Sequence, residues 1–340
     1  TINDNTYAAG GGAYGGKGGT GTGGIVANFA GGSEYGSALA PVAMGSGGGG
    51  VNSSSKAGGN GGGLITLTVS GTLTVSGSIL ANGGNGTATA CAGGGAGCSG
   101  GGGSGGGINI TAATLAGAGT ITANGGNGVV AVGATGGGGG GGRISVIYNT
   151  TANSSSFTGQ SSISVAVGTG GTLAEVGSAA LVDKKGTGAT TDDDISIYKG
   201  WDWLAADTTG SLFTYNNIAS TNASIVSIET GLTFNLQSTG NLTITNSIWS
   251  LPASGTATFN NIVTAAISSS SQITGGVLST ITLGATTISL STTSHIKGGT
   301  VSITAPTITV DGTSTIDGSA LGSRGGYKDG NAGANVEGTG

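Results

Sequence analysis

From Ile195 to about Ile316 the chain alternates between aliphatic side chains and Thr, Ser or Asn, most plainly in "NLTITNSI" (241–248) and "VSITAPTITV" (301–310). A period of two puts one set of side chains on one face of an extended strand and the other set on the opposite face. The pattern predicts short strands with an apolar face inward and a hydroxyl-bearing face in water, broken at Gly, Asn and Ser. The first half carries strand-like runs of the same kind, but separates them with glycine tracts such as 47–50 and 136–142. Helices are not predicted, because Lys, Glu, Arg, Gln and Met are scarce and Gly costs about 1 kcal/mol per residue in a helix interior.

The strand runs recur. "GGGLITLTVSGTLTVSGSILANGGNG" (61–86) returns as "GGGINITAATLAGAGTITANGGNG" (105–128), so that Asn82 and Asn85 reappear 42 residues later as Asn124 and Asn127. A looser third copy is "GGTVSITAPTITVDGTSTIDGSALG" (298–322). Each copy reads as two or three short strands with tight turns, followed by a glycine-rich excursion. Such a unit cannot bury its apolar face alone and does so by stacking on the next. The expected fold is all-β: a right-handed parallel β-helix, or β-solenoid, with long glycine-rich insertions.

The tracts allow two readings. Either they are extended, polyglycine-II-like strands packed side by side and bonded through backbone N–H and C=O, or they are flexible loops. The expected organisation is a glycine-rich β-solenoid over 1–182, a Thr/Ser/Val/Ile-rich one over 183–320, and a tail, 321–340. That tail and the head 1–50 read together as one further excursion, continuing from one unit into the next. The expectation is one period of an array or one protomer of a fibre, the alternative being a chain trimmed at flexible ends. The missing initiator Met and signal peptide lead to the same expectation of a processed or excised segment.

Composition narrows the function classes. Gly supplies 78 of 340 residues and Asp, Glu, Lys and Arg together only 7 %, which excludes most soluble enzymes. Collagen is excluded by three Pro and no Gly at every third position, and a membrane span by the lack of about 18 uninterrupted apolar residues. A net charge of −5 with scattered Lys and Arg argues against nucleic acid as a partner. It also leaves little repulsion between copies, which suits assembly end to end.

Few constellations carry chemistry. Cys91 and Cys98 flank "AGGGAG", and a loop-stapling disulfide is expected, with two unpaired thiols as the alternative. Asp192 and Asp194 are the weak calcium candidate within an Asp192–Asp194 run; a solvated turn before the strand at Ile195 is the competing reading. No cofactor is otherwise expected. Trp201 and Trp203 share one face of a strand, with Tyr198 three residues earlier, and form a candidate glycan or assembly contact, with packing against the rest of the chain as the competing reading. His295, the single histidine, has no nucleophile motif beside it, and Lys17 in "GGKGGT" lacks phosphate-loop spacing.

The block 101–147, with "TITANGGNG" (120–128) and "GGGGGGGRISV" (136–146), resembles the glycine-rich β-helical repeats of very large bacterial surface proteins and adhesins. The resemblance spans 1–150 and 298–340. It implies an extracellular or cell-surface structural or adhesive role, without catalytic residues, whose partners are copies of the chain and surface polysaccharide. A Thr-faced module binding polysaccharide or ice is the runner-up. A β-helical enzyme using acids near Asp183 to Asp207 is not expected.

Overall fold

The computed structural model describes residues 7–23, 27–51, 57–90, 97–149, 156–172, 174–186, 192–207, 212–222, 225–319 and 321. The expected tail therefore lies almost wholly outside the described residues. The described chain is nearly all β, mostly in parallel pairs, with short 3-10 turns and no α-helix.

In a first block the strands Leu64–Thr74, Gly107–Gly117, Arg143–Tyr148 and Ser178–Asp183 pair in parallel. Register aligns Ile65, Ile108, Ile144 and Ala179, and likewise Leu67, Ile110, Val146 and Leu181. These inward positions belong to one apolar core with Leu115, Ile121, Phe157 and Ile163. A second parallel strip, Ser78–Leu80, Thr120–Thr122 and Ile163–Ser164, lies beside it.

The second block repeats in steps of 23 or 24 residues, as in Ile218↔Leu242, Leu242↔Ala265 and Ala265↔Ile288. The last step shortens to 20, at Ile288↔Ile308. Three parallel strips result, one of them running Trp201–Trp203, Ile225–Ile228, Ile248–Ser250, Gln272–Thr274, His295–Lys297 and Thr315–Asp317. Their inward Ile, Leu, Phe and Trp side chains form the larger core. The corners between strips use positive φ at Asn246, Asn261, Ser269, Ser270, Thr292 and Thr293. That conformation is costly for a β-branched residue. It is held at Thr292 and Thr293 by bonds from their N–H groups to Asp311 Oδ2 at 2.6 Å and Thr313 Oγ1 at 3.0 Å.

The blocks meet at Ser178–Asp183, which pairs in parallel with Arg143–Tyr148 but antiparallel with Asp194–Ile197. All six of its residues are buried, because Ala179 and Leu181 enter the first core while Ala180 and Val182 enter the second. The unbroken apolar run 179–182 is the signature of a strand covered on both faces. Chain direction and core side thus reverse together.

The tracts 100–108 and 136–146 are buried along their length and bonded in a period of three. Gly100, Gly103 and Gly106 donate to the carbonyls of Thr87, Gly84 and Ala81; Gly101 and Ser104 donate to Gly49 and Ser46; Gly102 and Gly105 donate to Gly137 and Gly140, all at 2.7–3.1 Å. The same tract, with Ser99 just before it, accepts from Val129 and Gly126, from Gly59 and Gly62, and from Ala9 and Gly12. It therefore has six backbone neighbours, three as acceptors and three as donors. A Cβ on Gly101, Gly102, Gly103 or Gly139 would come closer than 3.0 Å to backbone of a neighbouring tract.

The recurring asparagines stitch the excursions together. Asn82 Oδ1 accepts from the N–H of Asn124 at 2.8 Å, and Asn124 Oδ1 from that of Ala166 at 2.8 Å. Asn85, Asn127 and Thr169 repeat the ladder at 2.8 and 2.9 Å. The 42-residue recurrence is a hydrogen-bond column.

Gly102→Ala is expected to lower stability by about 1–3 kcal/mol through overpacking. Gly71→Ala, where an added Cβ meets nothing within 4 Å, should change it by less than about 1 kcal/mol. Chemical denaturation of the two variants provides the comparison.

Candidate functional site

Trp201 and Trp203 face inward, 2 % and 1 % exposed. Trp203 packs edge-on to Phe213 at 4.7 Å between ring centroids and lies 5.4 Å from Phe234. No sugar ring can lie on either indole; large apolar rings on one strand face serve a thick core. Tyr198 is half-buried against the first core. Of the acid run, Asp194 has both carboxylate oxygens engaged. Asp194 Oδ1 accepts from the N–H and the side-chain amide of Asn217, at 3.0 and 2.9 Å, and Lys185 Nζ lies 2.8 Å from Oδ2. Among the described residues no group of three His, Cys, Asp or Glu is placed to hold a metal. Cys98 is disulfide-bonded, and Cys91 lies outside the described residues.

Sequence reasoning missed Arg143. It ends the seven-glycine tract and opens a strand, so its side chain is delivered where three parts of the molecule meet. It is 1 % exposed. Nε donates to the Tyr35 carbonyl at 3.0 Å, and Nη1 donates to Ser178 Oγ at 3.0 Å and to Asp202 Oδ2 at 2.8 Å. The guanidinium also lies 5.8 Å from the Tyr14 ring centroid. Asp202, pointing away from its tryptophan neighbours, thereby ties the second block to the first. Only the strand alternation that sends Asp202 outward was legible beforehand.

A cavity of about 250 Å³ is lined by Lys184, Asp193, Asp207 and Tyr215 among apolar side chains. Lys184 Nζ lies 2.6 Å from Asp193 Oδ2, and Ser37 Oγ donates to Asp207 Oδ1. Burial pushes both carboxyls up, against the opposing pull of Lys184 on Asp193 and of Ser37 on Asp207. Burial also pushes the Tyr215 phenol up, reinforced by the two carboxylates. The cavity thus gathers one lysine, two carboxyls and a phenol, with the lysine committed to Asp193.

Two surface features stand apart. On one strip, register aligns Thr233, Thr256, Thr280 and Thr300, with Asn235, Thr258, Thr282 and Ser302 as the adjoining column. The apolar partners on the same strands, Phe234, Ala257 and Ile281, are fully buried, so the hydroxyl columns face outward.

The second feature is the pair of end rungs. Leu64–Thr74 and Ser78–Leu80 form the opening rung, and among the described residues each pairs on one edge only. Its inward Ile65, Leu67, Leu73 and Ile79 are half-buried, whereas their partners Ile108, Ile110, Leu115 and Ile121 are 0 % exposed. At the other end Thr300–Thr304, Thr307–Val310 and Thr315–Asp317 form the closing rung, also paired on one edge. There Ile308, Val310 and Ile316 are 40–44 % exposed, against 0–1 % for their partners Ile288, Leu290 and Ile296. Pro, Lys and other edge guards normally blunt such strands. The opening rung has neither Pro nor a charged residue; the closing rung carries Pro306 between two of its strands, and its acids are engaged, Asp311 with Thr292 and Thr313 and Asp317 with Lys297 at 3.0 Å.

No family model, curated protein or solved structure matches the chain. No helix among the described residues is long and apolar enough to cross a membrane.

Asp202→Ala strands a buried guanidinium and should cost about 3–5 kcal/mol, whereas the double change Arg143→Met with Asp202→Leu should cost much less; thermal denaturation compares them. Hydrogen bonds hold the Asp311 carboxyl below the usual carboxylate range and Asp317 down at about 2. Their contribution is present above the ordinary carboxylate pKa and lost as pH falls through the lowered values. Acidification from about pH 5 to about pH 2 should therefore loosen the closing rung, read as lost hydrogen-exchange protection of the Thr292 and Thr313 amides.

Proposed function

We propose that this chain is a non-catalytic structural unit, a β-solenoid that assembles end to end into an extracellular fibre, sheath or adhesin stalk. In this reading both blocks are right-handed parallel β-helices. Their glycine-rich excursions pack beside them as a polyglycine-II-like bundle, which the three-residue bonding period and six neighbours of the tract 100–106 support. The observation that carries the function is the pair of end rungs, which among the described residues pair on one edge only and expose apolar side chains whose interior partners are buried. An open solenoid end is a template for another strand. The disulfide-bonded Cys98 fits an oxidising, extracellular compartment. The low charge offers little electrostatic resistance to close association.

The Thr233–Thr256–Thr280–Thr300 column supports a second reading, a Thr-faced module for polysaccharide or ice. Four aligned threonines make a flat row of hydroxyls and methyls spaced at about 4.8 Å, the distance between neighbouring strands.

Electron microscopy of the purified full chain over a range of concentrations tests the first reading. Concentration-dependent filaments are expected. Particles that stay single throughout would overturn it, and retention of such single particles on insoluble polysaccharide would put the second reading in its place.

A further inference from the structure

We infer that the partner of each end is the opposite end of a second copy: the closing rung of one chain pairs in parallel, in a defined register, with the opening rung of the next. This rests on the reading of the chain as an assembling unit and states which surfaces meet. The inference comes from comparing the two rungs. The opening rung reads Leu64, Ile65, Thr66, Leu67, Thr68, and the closing rung Thr300, Val301, Ser302, Ile303, Thr304. Both then pass an irregular step and continue with Thr72, Leu73, Thr74 and Thr307, Ile308, Thr309. Each ends in a three-residue strand with a central isoleucine, Ile79 or Ile316.

Superposing the rungs sets Val301 over Ile65, Ile303 over Leu67, Ile308 over Leu73 and Ile316 over Ile79. Every inward position meets an aliphatic side chain, as in the interior pairs Ile65↔Ile108 and Ile281↔Val301. A slip of one residue would set hydroxyls against the core and aliphatic groups outward, which fixes the register. Pairing two opening rungs with each other, core upon core, would require an antiparallel ladder between unequal segments, because a two-fold axis that superposes the two cores reverses strand direction. The opposite-end contact keeps the parallel order of both blocks.

The winding sense agrees as well. Because direction and core side reverse together at Ser178–Asp183, the second block ends with the hand with which the first begins. A following copy continues the coil without a break, turned so that its first core sits on the side of the preceding copy's second core. The strip from Leu64–Thr74 through Ser178–Asp183 to Thr307–Val310 is ten strands deep. At about 4.8 Å per strand, uninterrupted stacking gives an axial rise of about 48 Å per copy.

The test uses the full chain as two single variants, Ser302→Cys and Thr66→Cys, both at exposed, outward positions. Association is followed by light scattering, and mild oxidation is applied to each variant alone and to their equimolar mixture. The expected result is a reducible cross-link in the mixture between one chain of each kind, none in either variant alone, and little when Thr68→Cys replaces Thr66→Cys. Cross-linking within Ser302→Cys alone, or association in which the mixture gives no cross-link, would overturn the opposite-end pairing while leaving assembly standing. Failure of all chains, unmodified included, to associate would overturn the assembly reading and this inference with it.

Discussion

Backbone-to-backbone contact between segments that lack a Cβ is the constraint on which the first half of the molecule depends. A buried peptide group must find a partner, and a tract such as 100–106 finds its partners on six sides because nothing but hydrogen projects from most of its α-carbons. The conformational entropy lost by glycine is large. It is opposed by one backbone bond per residue in several directions, each contributing about 1 kcal/mol net. The tract 100–106 runs directly into Gly107–Gly117, and 136–142 into Arg143–Tyr148. The positions at which these strands enter the sheet are thus set by the glycine packing beside it.

The second half has a different support. Its strands carry aliphatic and aromatic side chains inward at every second position, and Trp201, Trp203, Phe234, Trp249 and Phe259 thicken a core that small residues would leave hollow. The two supports are joined by one strand that serves both cores and by Arg143, whose charge is satisfied jointly by Asp202, Ser178 and the Tyr35 carbonyl. A buried guanidinium is tolerated only with such partners, so the junction admits few alternative geometries. The reversal at that strand carries the sheet from one core to the other without breaking it.

Much of the candidate surface was legible in the chain before its fold. The likeness of 298–322 to 61–86 marks the two end rungs, and the period of two assigns their inward residues. The tryptophans turn into the core and Asp194 is taken by other partners, for a common reason. Composition brought acids and indoles to notice, but their environment is tertiary: Lys185 and Asn217 come to Asp194 from other parts of the chain, and Phe213 and Phe234 close over Trp203.

By itself the sequence determined that the chain is all-β, that its strands are stacked repeats with Ile, Val and Leu inward, and that Asn82 and Asn85 have equivalents at Asn124 and Asn127. Alternation and recurrence are local properties, and each residue type carries its own share of them. Only the tertiary structure decided which glycine tracts are neighbours, that the chain reverses between Asp183 and Asp194, and that Arg143 meets Asp202 across 59 residues. Those outcomes depend on groups that are distant along the chain and nearly featureless as sequence. A glycine tract bears no side chain to name its partner, and its neighbours are set by the geometry of everything packed around it.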